Sequence, residues 1–124
     1  MKPRIAIVED NPDNRLLVQA LLEELYDLTE FETGTEAIDG LGDDAPDLIL
    51  LDISLPDMDG TEVFEWIRGH DRLGDVPVIA LTAHAMAGDR EKFLAQGFND
   101  YVTKPIVDET ILLESIAQWL ASQE

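Results

Sequence analysis

The chain has 124 residues, 45% of them apolar, so it is long enough to bury one hydrophobic core and fold as one domain. It contains no cysteine, which excludes disulfide bridges and a thiol nucleophile. The formal net charge is −19 and only eight scattered residues are Lys or Arg, so direct binding to nucleic acid is not expected. Neither a signal peptide nor an apolar run near the ~20 residues of a membrane span is evident, so we expect a cytoplasmic protein without membrane contact.

Short apolar runs alternate with helical patterns along the chain, as in sheets whose strands are buried on both faces. The predicted strands are β1 at residues 4–8, β2 at 27–31, β3 at 48–52, β4 at 78–82 and β5 at 100–103. The predicted helices are α1 at 12–25, α2 at 34–40, α3 at 61–68, α4 at 87–96 and α5 at 112–120. This alternation predicts a single α/β domain over residues 1–124, with a five-stranded parallel sheet covered by helices on both faces.

Polar residues stand where four of the predicted strands end. Glu9 and Asp10 follow β1, Asp52 closes β3, Thr82 closes β4 and Lys104 follows β5. Ligand sites in open α/β sheets lie outside the carboxyl ends of the strands. We therefore expect these side chains to meet at one edge of the sheet.

Asp52 is the predicted nucleophile, because a carboxylate can attack phosphorus and form an acyl phosphate. Attacker and phosphoryl group are both negative, so the reaction needs a divalent cation with oxygen ligands. Glu9, Asp10 and Asp52 are expected to bind Mg²⁺, with the backbone carbonyl of Ser54 as a further ligand and Mn²⁺ or Ca²⁺ as substitutes.

The cationic and hydroxyl groups complete the predicted site. Lys104 would bind a phosphoryl oxygen as a compact point charge, and Thr82 would donate its hydroxyl to another. Taken singly, Glu9 and Asp10 suit a polar turn, Thr82 a strand end with local backbone bonds, and Lys104 a solvated surface. Their common position at strand ends is what favours a functional site.

Four segments resemble motifs of the receiver domain of bacterial response regulators. They are the acidic pair in residues 7–11, the phospho-acceptor segment in 50–60, the switch-threonine segment in 80–85 and the lysine-proline segment in 97–105. Four motifs in the right order are far more specific than any one of them. The resemblance spans essentially the whole chain and implies a flavodoxin-like (βα)5 doubly wound fold with strand order 2-1-3-4-5.

The resemblance implies a role in phosphorylation or switching for residues of each motif. The implied roles are phospho-acceptor for Asp52, metal binding for Glu9 and Asp10, phosphoryl binding for Thr82 and Lys104, inward rotation for Tyr101, a cis peptide bond between Lys104 and Pro105, and tuning of hydrolysis for Ser54 and His84. An inert surface position is the alternative for His84.

The implied function is a phosphorylation-activated switch of a two-component or phosphorelay system. A histidine kinase or histidine phosphotransfer protein would donate the phosphoryl group, and the surface of α4, β5 and α5 would change its affinity for a downstream protein. The protein would be no enzyme beyond catalysing its own phosphorylation and dephosphorylation. The compact length favours a stand-alone regulator, and a receiver excised from a hybrid sensor kinase is the alternative. Whether phosphorylation promotes dimerisation is left open.

Three other classes of protein fit the residues less well. A metal-dependent phosphatase with an aspartyl phosphate would carry a second aspartate where Ser54 stands. A flavodoxin would need a phosphate-binding loop after β1, where Glu9 and Asp10 would repel phosphate. A pseudo-receiver that acts only through protein contacts would not need the full set of acids, threonine and lysine.

Overall fold

The computed structural model describes residues 2–42, 45–71, 73–82, 89–103 and 109–121, with the backbone alone at 89 and 90. Strands and helices alternate along these residues. The elements are β1 Arg4–Val8, α1 Pro12–Leu22, β2 Asp27–Phe31, α2 Gly34–Leu41, β3 Leu48–Asp52, α3 Gly60–Gly69, β4 Val78–Thr82, α4 Asp89–Gln96, β5 Asp100–Thr103 and α5 Glu109–Ala121. The predicted start of α4 at residue 87 lies outside the described residues.

The five strands form one parallel sheet in the order β2-β1-β3-β4-β5. This confirms the predicted flavodoxin-like fold. The order reverses between β1 and β3, where the chain changes from building one side of the sheet to building the other. In such sheets the crevice at this reversal, outside the carboxyl ends of the strands, is where ligands bind.

Side chains alternate between two buried layers along each central strand. Ile7, Leu50 and Ile79 face α1 and α5, while Val8, Leu51 and Ala80 face α2, α3 and α4. All residues of β3 and β4 are buried, because both faces of these strands are covered by helices. The two apolar layers hold the strand ends in a fixed register, and the candidate site depends on that register.

The bounds of α1 differ from the prediction. The helix begins as expected after Asn11, whose side chain accepts hydrogen bonds from the amides of Asp13 and Asn14. It ends at Leu22 rather than at residue 25, because the Leu22 carbonyl accepts from the amides of both Leu25 and Tyr26 and turns the chain toward β2. Leu25 is consequently 53% exposed and takes no part in the apolar stripe.

Candidate functional site

The acidic residues after β1 and at the end of β3 lie side by side. Val8 pairs with Leu51 in the sheet. The residues that follow this pair in the chain, Glu9 and Asp52, are therefore neighbours. Glu9 is fully buried and Asp52 is 1% exposed, whereas Asp10 is exposed to solvent. The site therefore has a buried floor of two carboxyl groups and an exposed carboxyl group at its rim.

Glu9, Asp10 and Asp52 each offer a carboxylate oxygen, and these oxygens lie within 4.8 Å of one another. Buried charges of one sign need a compensating charge, because burial weakens their hydration. Carboxylate oxygens are the donors that a hard divalent cation such as Mg²⁺ prefers. The donor set and its spacing thus fit a divalent cation.

The loop after β3 is fixed directly beneath Asp52. The Ser54 amide donates to Asp52 Oδ1 at 3.0 Å, and the Ile53 amide donates to the Leu81 carbonyl at 3.0 Å. Gly60 donates its amide to the Ile53 carbonyl at 2.8 Å, and a Cβ at this glycine would lie 2.6 Å from Ile53 Cα and closer still to the Asp52 carbonyl oxygen. Only glycine fits this close approach, which folds the start of α3 back onto the site.

The far end of the same loop is tied to α2. Asp57 accepts hydrogen bonds from the Gly34 amide at 2.9 Å, the Thr35 amide at 2.9 Å and the Thr35 hydroxyl at 2.6 Å. These bonds, with the Thr35 hydroxyl first, lower the pKa of Asp57 from 3.8 to about 2. The carboxylate therefore caps the N-terminus of α2 from a different part of the chain.

Thr82 and Tyr101 belong to the two strands on the other side of Asp52. Thr82 ends β4, is 1% exposed, and directly follows Leu81, the residue that pairs with Asp52. Tyr101 in β5 is half-buried, and its ring stacks on Phe93 of α4, with centroids 5.8 Å apart and planes inclined by 28°. Thr82 thus stands beside the acidic group, while Tyr101 connects its strand to α4.

Two residues near the site were missed by the sequence interpretation. Arg15 and Asp57 make the side-chain contacts that fix the loops after β1 and β3. A basic residue in the first turn of the helix that follows the acidic pair is a signal that could have found Arg15. The predicted residues His84, Lys104 and Pro105 lie outside the described residues.

The fold is that of a parallel α/β protein with an acidic group at its topological switch point, and comparison with known proteins gives the family. Residues 5–117 match the response regulator receiver domain family. The chain belongs to this family. Its members are signalling switches of two-component systems rather than enzymes in the usual sense.

Individual relatives are of two kinds. The chain is 43% identical over 107 residues to the polar-differentiation response regulator DivK of Brucella anthropi, covering 86% of this chain and 87% of DivK. It is 40% identical over 121 residues to the sensor protein GacS of Pseudomonas syringae pv. syringae, covering 94% of this chain but only 13% of GacS. The chain therefore spans most of DivK but only a small part of GacS.

A solved structure shares the whole fold. The receiver domain of sensor histidine kinase PA1611 from Pseudomonas aeruginosa PAO1 superposes with a TM-score of 0.87 at 37% identity, covering 98% of this chain and 99% of that one. That protein has a magnesium ion coordinated in its active-site cleft. In the part of our chain that the structure describes, no helix is both long and apolar enough to cross a bilayer.

Proposed function

We propose that Asp52 accepts a phosphoryl group in a Mg²⁺-dependent reaction and that this modification switches the partner preference of the protein. The observation that carries the proposal is the convergence of three carboxylate oxygens within 4.8 Å at the end of β3, with Asp52 itself buried. Buried carboxylates do not contribute to the solubility of the protein surface, but they can bind a cation.

The proposed donor is a phosphohistidine on a histidine kinase or a histidine phosphotransfer protein. An Asp52 carboxylate oxygen forms a bond to phosphorus, the bond from phosphorus to the imidazole nitrogen breaks, and the imidazole leaves with the electron pair and takes up a proton. A bound Mg²⁺ would neutralise charge on the phosphoryl oxygens during this transfer. Mn²⁺ and Ca²⁺ meet the same oxygen ligands and would substitute for it.

Other groups of the protein would bind the cation, orient Asp52 and contact the phosphoryl group. Glu9, Asp10 and Asp52, with the Ser54 carbonyl, would bind the cation, and the Ser54 amide orients Asp52 through its bond to Oδ1. The Thr82 hydroxyl would donate to a phosphoryl oxygen, and the resemblance to receiver domains assigns a second phosphoryl contact to Lys104. Loss of the phosphoryl group to water would be the domain's own reaction, tuned at Ser54 and His84.

The output would be a change in the surface formed by α4, β5 and α5. When Thr82 moves toward the phosphoryl group, Tyr101 in the neighbouring strand would turn inward and change its contact with Phe93 of α4. A partner that binds the two arrangements with different affinity then reads the phosphorylation state. The similarity to DivK and to GacS supports both a separate regulator and a receiver within a larger kinase.

The test is the intact mass of the protein after incubation with acetyl phosphate, with Mg²⁺ and with a chelator. Wild type should gain one phosphoryl group only with Mg²⁺, and Asp52→Asn should gain none. Asp27→Asn is the matched control, because Asp27 is an exposed carboxylate at the opposite end of the sheet. A wild-type protein that gains no mass under any condition would overturn the proposal.

A further inference from the structure

The Arg15 side chain lies directly behind the acidic pair. It extends from the first turn of α1, and its Nη1 donates to the Glu9 carbonyl at 3.0 Å and to the Asp10 carbonyl at 3.3 Å. The side chain is only 16% exposed. One guanidinium nitrogen thus binds both backbone oxygens of the acidic pair.

The other guanidinium nitrogens face two acids at the end of β2. Arg15 Nε lies 3.6 Å from Glu30 Oε1, and Nη2 lies 3.3 Å from Glu32 Oε1. The planar guanidinium offers five donors in a fixed arrangement, so it can contact carbonyls on one side and carboxylates on the other. Glu30 and Glu32 therefore orient Arg15 toward the loop that follows β1.

These contacts hold the backbone of the acidic pair from both directions. The Glu9 amide donates to the Phe31 carbonyl of β2 at 3.0 Å, while Arg15 binds the carbonyls that follow. Without such contacts, repulsion from the buried acids would favour turning the exposed Asp10 away into solvent. Fixing the peptide groups keeps both side chains beside Asp52 before any cation arrives.

We propose that Arg15 is a positioning residue for divalent-cation binding by Glu9 and Asp10, acting through its hydrogen bonds and not through its charge. The inference rests on the proposed function, because it concerns the same cation site. A role through charge and a role through hydrogen bonds predict opposite effects of removing Arg15 on Mg²⁺ affinity. A positive charge repels Mg²⁺, so a role through charge predicts tighter binding when the charge is removed, whereas a role through hydrogen bonds predicts weaker binding.

The test is the Mg²⁺ dissociation constant of the unphosphorylated protein, measured by titration calorimetry. Arg15→Lys keeps the charge but loses the planar fork, and Arg15→Gln loses both. Each should weaken Mg²⁺ binding about tenfold, as loss of a group that orients metal ligands does elsewhere. Arg4→Gln is the matched control, because Arg4 also binds a backbone carbonyl, that of Ala45, at the far end of β1. It should leave Mg²⁺ affinity unchanged.

A second readout needs no cation. In the metal-free protein, the backbone amide resonances of Glu9 and Asp10 should shift or broaden in Arg15→Lys, and stay at their wild-type positions in Arg4→Gln. Glu32→Gln keeps Arg15 but removes one of the carboxylates that orient it. It should weaken Mg²⁺ binding by a smaller factor, and it decides the matter if both Arg15 variants fail to fold.

The outcomes separate this inference from the proposed function. If wild type binds no Mg²⁺, the cation site fails and the role of Arg15 fails with it. If wild type binds Mg²⁺ but Arg15→Lys binds equally well and Arg15→Gln binds more tightly, the cation site stands and the positioning role is overturned. If both Arg15 variants fail to fold, an Mg²⁺ affinity of Glu32→Gln equal to that of wild type also overturns the positioning role.

Discussion

Asp57 and Thr35 join the loop after β3 to the first turn of α2, with the Thr35 amide and hydroxyl 2.9 Å and 2.6 Å from Asp57 Oδ2. The carboxylate is bound best when it is charged, since all its partners are donors. This contact couples the loop that carries Ser54 to α2, which packs in the same apolar layer as α3, so it restrains the backbone next to Asp52.

The first prediction is a pH-dependent contribution of Asp57 to stability. The pKa of Asp57 in the folded protein is lowered from 3.8 to about 2. Asp57 therefore contributes fully to the free energy of unfolding above pH 3.8, and this contribution is lost as the pH falls toward 2. Asp57→Asn should therefore unfold at lower urea than wild type near neutral pH, and the two midpoints should converge near pH 2. Asp39→Asn, an exposed change within α2, serves as the control. A difference that stays constant over this pH range would contradict the assignment.

The second prediction concerns the close approach of Gly60 to the site. In Gly60→Ala the new Cβ meets the backbone of Asp52 and Ile53, so the strand end or the start of α3 must shift. We expect a loss of about 1–3 kcal/mol in the free energy of unfolding, together with slower phosphorylation. Gly69→Ala is the matched control, because a Cβ there has no neighbour within 4 Å. Equal urea midpoints and equal phosphorylation rates for the two variants would refute the packing explanation.

The third prediction concerns the stacked pair Tyr101 and Phe93. Aromatic pairs contribute about 0.5–1.5 kcal/mol beyond the area they bury. A double-mutant cycle of Phe93→Leu and Tyr101→Leu should give a coupling energy within about this range in the unphosphorylated protein. Urea unfolding of the four proteins measures it. A coupling energy near zero would show that the stacking does not link β5 to α4.

The fourth prediction concerns the contact between β5 and α5. Asp100 Oδ2 accepts from Ser115 Oγ at 2.5 Å and from Trp119 Nε1 at 3.4 Å, and Ser115 is 6% exposed. Ser115→Ala leaves the half-buried carboxylate with one partner fewer and should cost about 1–3 kcal/mol of unfolding free energy. The emission of Trp119 should shift as well. Gln118→Ala, an exposed change on the same helix, should produce neither effect.

The strands were predictable from the sequence, and the side-chain contacts between segments distant in sequence were not. All five strands have the predicted bounds. The signal is clearest in β3 and β4, because they are apolar runs buried on both faces and end at a polar residue. The end of α1 was predicted three residues too late, since Leu25 continues the helical spacing although its side chain is exposed. The ion pairs of Arg15 with Glu30 and Glu32, and the hydrogen bonds of Asp57 to α2, join segments far apart in sequence, and no local pattern determines them.

The convergence of the acids was predictable for a related reason. Their positions follow from the register of parallel strands, which places Glu9 beside Asp52 once the strand order is known. Their chemical roles remain predictions. The roles of Pro105 and His84 come from the resemblance to receiver domains alone.

The most direct test of the central claim is to locate the phosphoryl group. Protein treated with acetyl phosphate and Mg²⁺ would be reduced with borohydride, which converts an acyl phosphate to the corresponding alcohol, and the peptides would be mapped by mass spectrometry. We expect reduction at Asp52 alone, and none when Mg²⁺ is chelated. Reduction at another carboxyl group, or at none with Mg²⁺ present, would contradict the assignment of Asp52 as the phospho-acceptor.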